Sequence, residues 1–158
     1  MTNKHHEENT KEQKEQVESQ PGFGIQRLYV KDLSFEAPST PEIFQTEWVP
    51  QVDFNLHTSF SKIADDTYEV VLQITVTAKL KDKTAFLVEV KQAGIFTVNG
   101  FTKEQLEPML GSFCPNILFP YARELISATI NRGSFPPLYL APINFDALYQ
   151  EQLKQHKK

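Results

Sequence analysis

The sequence predicts an α+β domain: a four-stranded antiparallel sheet with a long crossover loop, covered on one face by two to three helices. Two observations lead to this fold class. The first half of the chain alternates apolar and polar residues with a period of two, which is typical of half-buried strands. The second half changes to helical spacing interrupted by proline. Strands followed by helices are the pattern of an α+β domain.

Alternation predicts an antiparallel meander whose outer face is exposed to water. The four predicted strands are 26–36, 51–57, 67–80 and 84–92. Short polar segments at 65–66 and 81–83 have the length of hairpin connections. Segment 37–50 contains Pro38, Pro41 and Pro50, and proline cannot donate to a strand ladder. This segment is therefore predicted to be the long crossover loop between the first two strands.

Three helices are predicted in the second half. Segment 102–105 fits a capping box that opens a short helix. Residues 121–132 are predicted to form the main helix, with Pro120 in its first turn and Gly133 at its C-terminal cap. Asn144 is predicted to cap a last helix with apolar residues at helical spacing.

Composition predicts one folded domain between two polar tails. The chain has 158 residues, which is ordinary for a single domain. Residues 1–21 carry too few apolar side chains to offset the entropy of ordering, so a disordered N-terminal tail is expected. The domain is expected to span 22–149, and 150–158 is expected to be a short basic C-terminal tail.

Charge and hydropathy exclude several classes of function. A formal net charge of −4 argues against a general nucleic-acid binder. No apolar run approaches the roughly 20 residues that cross a bilayer, and the N-terminus has no apolar signal stretch. The single cysteine, Cys114, excludes an intrachain disulfide and fits a reducing compartment. We therefore expect a soluble, cytoplasmic protein.

Signals of catalysis are weak. Cys114 and His57 would be the nucleophile and base of a cysteine-dependent hydrolase, but their spacing does not support this alternative, and a buried structural thiol is favoured. His5 and His6 lack further metal ligands nearby. We predict no enzyme activity, no cofactor and no metal site.

Two sets of residues indicate binding instead. Asp32, Glu36 and Glu89, with Leu87 beside Glu89, share the outward face of the predicted sheet. Taken alone, this pattern is most often an ordinary solvated surface. Most aromatic residues are expected in the core. Trp48 lies in the proline-bounded loop, which can bury a large side chain less deeply than the core can. An aromatic groove beneath that loop would bind extended apolar segments.

Three stretches of the second half are distinctive: CPNILFPYARE at 114–124, RGSFP at 132–136 and LAPINFDAL at 140–148. Together with segments 26–38, 64–72, 84–90 and 93–96, and in the same order, they resemble the SecB family of protein-export chaperones. The resemblance covers about residues 24–149.

The resemblance implies an ATP-independent cytosolic chaperone that assembles as a homotetramer, a dimer of dimers. Such proteins keep unfolded preproteins translocation-competent and deliver them to the translocase ATPase SecA. In the family, the acidic outer face of the sheet receives the zinc-containing C-terminal segment of SecA, so the zinc belongs to the partner. The matching positions here are Asp32, Glu36, Leu87 and Glu89.

The resemblance also implies a client groove lined by aromatic and apolar residues. The matching groove positions are Trp48, Phe86, Tyr121 and Tyr149. Val88, Val90 and Gln92 match positions tied to subunit pairing or client binding. The alternative to this function is a generic peptide-binding or adhesive module without a role in export.

Overall fold

The computed structural model describes residues 20–157, so the tail predicted at 1–21 lies almost entirely outside the described residues. The elements, in chain order, are strand β1 (Gly22–Glu36), a 3-10 turn (Glu42–Gln45), strands β2 (Gln51–Ala64), β3 (Thr67–Leu80) and β4 (Lys83–Asn99), helix α1 (Lys103–Pro108), a π-helical turn (Met109–Phe113), and helices α2 (Cys114–Arg132) and α3 (Phe145–Gln155). The predicted α+β class with a four-stranded antiparallel sheet is confirmed.

The order of the strands differs from a simple meander. The sheet runs β1-β4-β3-β2, so β1 pairs with β4 and lies at the opposite edge from β2. The prediction that all four strands form a meander was therefore wrong for β1. The crossover loop 37–50 explains the difference, since it carries the chain from one edge of the sheet to the other.

Strand register separates the two faces of the sheet. In β3, alternate residues from Val70 to Ala78 are fully buried, while the residues between them, such as Thr75, are partly exposed. Helix α2 packs across β4 and β3 and closes the core on the inner face. The opposite, outer face of the sheet has no helix packed on it among the described elements.

Helix α2 begins at Cys114, seven residues before the predicted start at 121. Pro115 occupies the first turn, and Pro120 lies inside the helix. Proline removes one hydrogen bond there, to the carbonyl of Asn116, but both residues are exposed and water can solvate the free group. The helix continues through Pro120 because apolar residues on both sides of it, for example Leu118 and Ala122, are buried against the core.

The predicted caps are confirmed. The backbone N–H of Gln105 donates to Thr102 Oγ1 at 3.3 Å, and the backbone N–H of Thr102 donates to the side-chain Oε1 of Gln105 at 3.0 Å. At the start of α3, the Ala147 amide donates to Asn144 Oδ1 at 3.0 Å. Helix α3 then continues to Gln155, so most of the segment expected to be a tail at 150–158 is helical.

Candidate functional site

The carboxylates predicted on the outer face of the sheet do lie together on that face. Asp32 pairs with Lys91, Ser34 with Glu89, and Glu36 with Leu87. Directly opposed residues in antiparallel strands have Cβ atoms about 5 Å apart, and diagonal neighbours are about 7–8 Å apart. Asp32, Glu36, Leu87 and Glu89 therefore form one patch, which we call the acidic patch.

The carboxylates of the acidic patch have few polar partners among the described residues. Thr75 Oγ1 donates to Glu89 Oε2 at 3.0 Å, which orients that carboxylate without neutralising it. Within residues 20–157, neither Asp32, Glu36 nor Glu89 forms a salt bridge with a described residue. The patch thus places carboxylates on the surface around the half-buried Leu87.

A fourth carboxylate on this face, that of Glu69, is paired with a cation. Glu69 accepts hydrogen bonds from the Tyr29 hydroxyl and from Lys31 Nζ, the latter at 2.7 Å. The bond from Lys31 is the main reason that the pKa of Glu69 is lowered. Burial, followed by the hydrogen bond to Glu69, raises the pKa of Tyr29 to about 12. These contacts link β1 to β3 across β4.

Trp48 is part of an aromatic cluster at one end of the inner face. Its indole is half-buried, stacks on Phe86 with ring centroids 6.4 Å apart, and lies 5.7 Å from Phe135. Phe35 and Phe44 complete the cluster through Phe135. Phe86 is only 1% exposed, so it supports the indole from below and does not itself reach the surface.

Sequence reasoning missed an uncovered apolar strip along β2. Val52, Phe54, Leu56 and Phe60 pair with buried β3 residues and therefore share the inner face. Helix α2 covers β3 and β4, and the side chains of Val52, Phe54 and Phe60 remain 40–45% exposed. We call these four residues the β2 strip. Alternation revealed the apolar face of β2, but it carried no information about whether a helix covers that face.

The other two predicted groove residues lie elsewhere. Tyr121 is 50% exposed on α2 and lines a shallow hollow together with Val30 and the buried Gln92. Tyr149 lies against Gly111 of the π-helical turn, where a Cβ would come within 2.6 Å of the tyrosine ring. The structure therefore brings Trp48 and Phe86 together, but it leaves Tyr121 and Tyr149 at separate places.

Val88, Val90 and Gln92 lie on the inner face of β4. Both valines are fully buried and Gln92 is 3% exposed. Exposed apolar side chains on the neighbouring β1 flank them, since Leu33 pairs with Val90 and Val30 pairs with Gln92.

The alternative of a cysteine-dependent hydrolase finds no geometric support. Cys114 is fully buried in the core, and burial raises the pKa of its thiol to about 12, so a thiolate is not available near neutral pH. His57 lies across the sheet on the outer face, where it pairs with Gln73.

No metal or membrane feature is present in the described part of the chain. Within residues 20–157, no group of three or more His, Cys, Asp or Glu side chains is placed to hold a metal ion. The described helices include none long and apolar enough to cross a membrane. A cavity of about 560 Å³ lies between α2 and residues 137–139, and none of the predicted site residues lines it.

The contacts of Tyr29 predict a pH-dependent contribution to stability. Tyr29→Phe removes a hydrogen bond to a carboxylate and should lower the free energy of unfolding by ~1.5–3 kcal/mol. Folding favours the neutral phenol, so this contribution should be complete below pH 10 and be lost as the pH rises towards about 12. Urea unfolding of both proteins between pH 8 and pH 12 measures the difference. A difference independent of pH would contradict the assignment, and Tyr139→Phe, at a 70% exposed position, is the control.

The chain is similar to known proteins of one family. The family model described as "Preprotein translocase subunit SecB" matches residues 16–156. The protein-export protein SecB of Marinobacter nauticus is 55% identical over 141 residues, covering 89% of this chain and 86% of the relative. That of Methylococcus capsulatus is 54% identical over 143 residues, covering 90% of this chain and 91% of the relative.

A solved structure shares the fold. It is the SecB-like chaperone of Mycobacterium tuberculosis in complex with a ChAD peptide from the HigA1 antitoxin, with a TM-score of 0.64 and 16% identity, covering 77% of this chain and 90% of that one. The family match over most of the length and relatives that are more than half identical lead to one conclusion: the chain belongs to the SecB family of protein-export chaperones.

Proposed function

We propose that the chain binds unfolded preproteins in a groove formed by the β2 strip and the aromatic cluster around Trp48, keeps them translocation-competent and delivers them to SecA. The observation that carries this proposal is the row of apolar side chains on β2 that remain exposed on the inner face of the sheet. At one end of this row Val52 pairs with Ala78, which in turn pairs with Phe86 beneath the half-buried indole of Trp48. The matching family is one of export chaperones.

The chemistry of the groove suits unfolded chains of many sequences. Each square ångström of apolar surface removed from water contributes about 25 cal/mol whatever side chain supplies it. Folded proteins have already buried that surface, so they offer little to the groove. Strand β2 is also an edge of the sheet, and its open backbone groups provide hydrogen bonds to an extended client.

Different groove residues have different roles in this proposal. Trp48 contacts the client, and Phe86 acts indirectly because it holds the indole in place from the core. Tyr149 extends the lining where the π-helical turn meets α3. Tyr121, beside Val30, lies closer to β1 and is assigned to a second contact region.

We assign the acidic patch to the cationic, zinc-containing C-terminal segment of SecA. Carboxylates that form no salt bridge with any residue of 20–157, grouped around a half-buried leucine, favour a basic partner, because complementary charges speed encounter and set register. The zinc is held by the partner in this proposal, and the chain itself acts in the cytoplasm as a binding protein without catalysis, cofactor or ATP.

We further propose that the chain works as a homotetramer, a dimer of dimers. Two different surfaces are needed for such an assembly. One candidate is the open edge of β1, where Ile25, Val30 and Leu33 are 43–49% exposed. The other is the side of α2 that faces away from the sheet. Val88, Val90 and Gln92 would support the pairing of subunits indirectly, since they form the inner face of β4 next to the exposed residues of β1.

Trp48 provides a direct test of the groove. An unfolded preprotein without tryptophan should shift the fluorescence of Trp48, which is the only tryptophan, whereas the same protein in its folded form should not. Trp48→Ala should weaken client binding by ~1–3 kcal/mol, as expected for loss of a large anchor. Trp48→Phe, which keeps an aromatic surface, is the matched control and should recover much of the affinity. Unchanged fluorescence and unchanged affinity of the alanine variant would remove Trp48 from the site.

Charge reversal tests the acidic patch. Glu89→Lys or Asp32→Lys should weaken SecA binding by about tenfold or more at low salt, and wild-type binding should fall as salt screens the charges. Glu151→Lys, the same charge change on exposed α3, is the control and should bind normally. Normal SecA binding by both patch variants, measured by titration calorimetry, would show that SecA docks elsewhere.

Light scattering tests the assembly. At micromolar concentration the expected mass is about four times the 18.1 kDa of one chain. A monomer mass under these conditions would contradict the proposed tetramer.

A further inference from the structure

Lys91 lies on the outer face of the sheet beside the acidic patch. It follows Glu89 by two residues on β4, so both side chains point to the same face, about 7 Å apart. Lys91 also pairs directly with Asp32 of β1. The Cβ atoms of directly opposed residues are about 5 Å apart. The ammonium group of Lys91 is therefore within reach of two of the three carboxylates of the patch.

Lys91 is not committed to a fixed ion pair. Within residues 20–157 it forms no salt bridge with a described residue. Its neighbour on the other side is the neutral Gln73 of β3. The side chain is half-buried, and a lysine in such a position rests its apolar stem on the protein while its ammonium group remains in water. The ammonium group can therefore move towards a carboxylate or away from a second cation.

Asp32 is the carboxylate that Lys91 affects most. Glu89 already accepts a hydrogen bond from Thr75 on the β3 side, which orients it. Glu36 lies four residues beyond Asp32 on β1, about 13 Å along the strand. Charges in physiological salt are screened over about 8 Å. Lys91 therefore acts on the Asp32 end of the acidic patch and leaves the Glu36 end almost unchanged.

Other cations on this face are offset or lie farther away. Lys31 is held by Glu69, with Nζ and Oε1 2.7 Å apart. Lys79 lies near Asp53, because Asp53 pairs with the residue two positions before Lys79, and their charges offset each other. Two further titratable residues of this face have positions about 10 Å or more from that of Lys91 along or across the strands, namely Arg27 and His57.

We infer that Lys91 is a specificity-determining residue of the acidic patch: its ammonium group competes with the cationic segment of the partner for Asp32. Lys91 thereby lowers the affinity of the patch and directs the cationic side chains of the partner to Glu36 and Glu89, around Leu87. This inference rests on the proposed function of the acidic patch and names the residue that sets its affinity. Exposed charges contribute little individually, so we expect an effect of a few fold.

The affinity of Lys91 variants for SecA tests the competition. Lys91→Gln removes the charge and should tighten binding about threefold at about 0.15 M salt, measured by titration calorimetry, because Asp32 then pairs only with the partner. A gain in affinity does not arise from a misfolded variant. Lys91→Arg keeps the charge and should bind as the wild type does. Lys103→Gln removes the same charge from an exposed position at the start of α1 and is the matched control, with unchanged affinity expected.

Carboxylate variants locate the competition within the patch. Asp32→Asn should weaken SecA binding by less than about twofold when Lys91 is present, and by about threefold in the Lys91→Gln background, because only then is Asp32 fully available to the partner. Glu36→Gln should weaken binding by the same factor in both backgrounds, since Glu36 lies beyond the screening distance of Lys91. Comparing the two backgrounds distinguishes competition for Asp32 from a change in overall charge.

The outcomes separate this inference from the proposed function. If Lys91→Gln binds SecA no more tightly than the wild type while Glu89→Lys binds more weakly, the acidic patch is the docking site and the inference is wrong. If Lys91→Gln binds more tightly but Asp32→Asn has the same effect in both backgrounds, only overall charge matters and the inference is again wrong. If SecA does not bind, or binds Glu89→Lys normally, the docking site itself is wrong and the inference fails with it.

Discussion

The structure depends on a mismatch between one long helix and a four-stranded sheet. An α-helix with its side chains is about 10 Å wide, whereas the axes of the outermost of four strands are about 14 Å apart. Helix α2 therefore covers the two central strands, β3 and β4, and leaves the inner faces of β1 and β2 partly open. The aromatic cluster closes one end of the sheet, and the π-helical turn with α3 closes the other. What remains between them is an elongated apolar surface on each edge strand.

Strand parity gives the two faces of the sheet different chemistry. On β4, Val88 and Val90 point into the core, and Leu87 and Glu89 point outward. A slip of one residue in register would exchange the two sets, so buried packing on the inner face also fixes where the outer carboxylates stand. Because the proposed client and SecA surfaces are on opposite faces of one sheet, a ligand on one leaves the other free.

Sequence patterns predicted which segments form strands and helices better than they predicted which of these elements lie next to one another. Period-two alternation identified the strands and the shared face of Asp32 and Glu89, and cap residues identified α1 and α3. Alternation is local, so it could not reveal that β1 pairs with β4 or that β2 stays uncovered. Proline led to a helix start that was too late, since burial around Pro120 outweighs one missing hydrogen bond. The depth of Phe86 beneath Trp48 is likewise set by long-range packing.

The burial of Cys114 affects how this chain can react with the unfolded proteins it binds. Unfolded clients expose their own cysteines, and a reactive thiol in their carrier would exchange with client disulfides or form mixed ones. Exchange requires a thiolate that is accessible to the other sulfur. Cys114 is fully enclosed in the core, and its pKa of about 12 keeps it protonated. Cys114 therefore does not exchange with client thiols or disulfides, and the cysteines of a bound client keep their oxidation state.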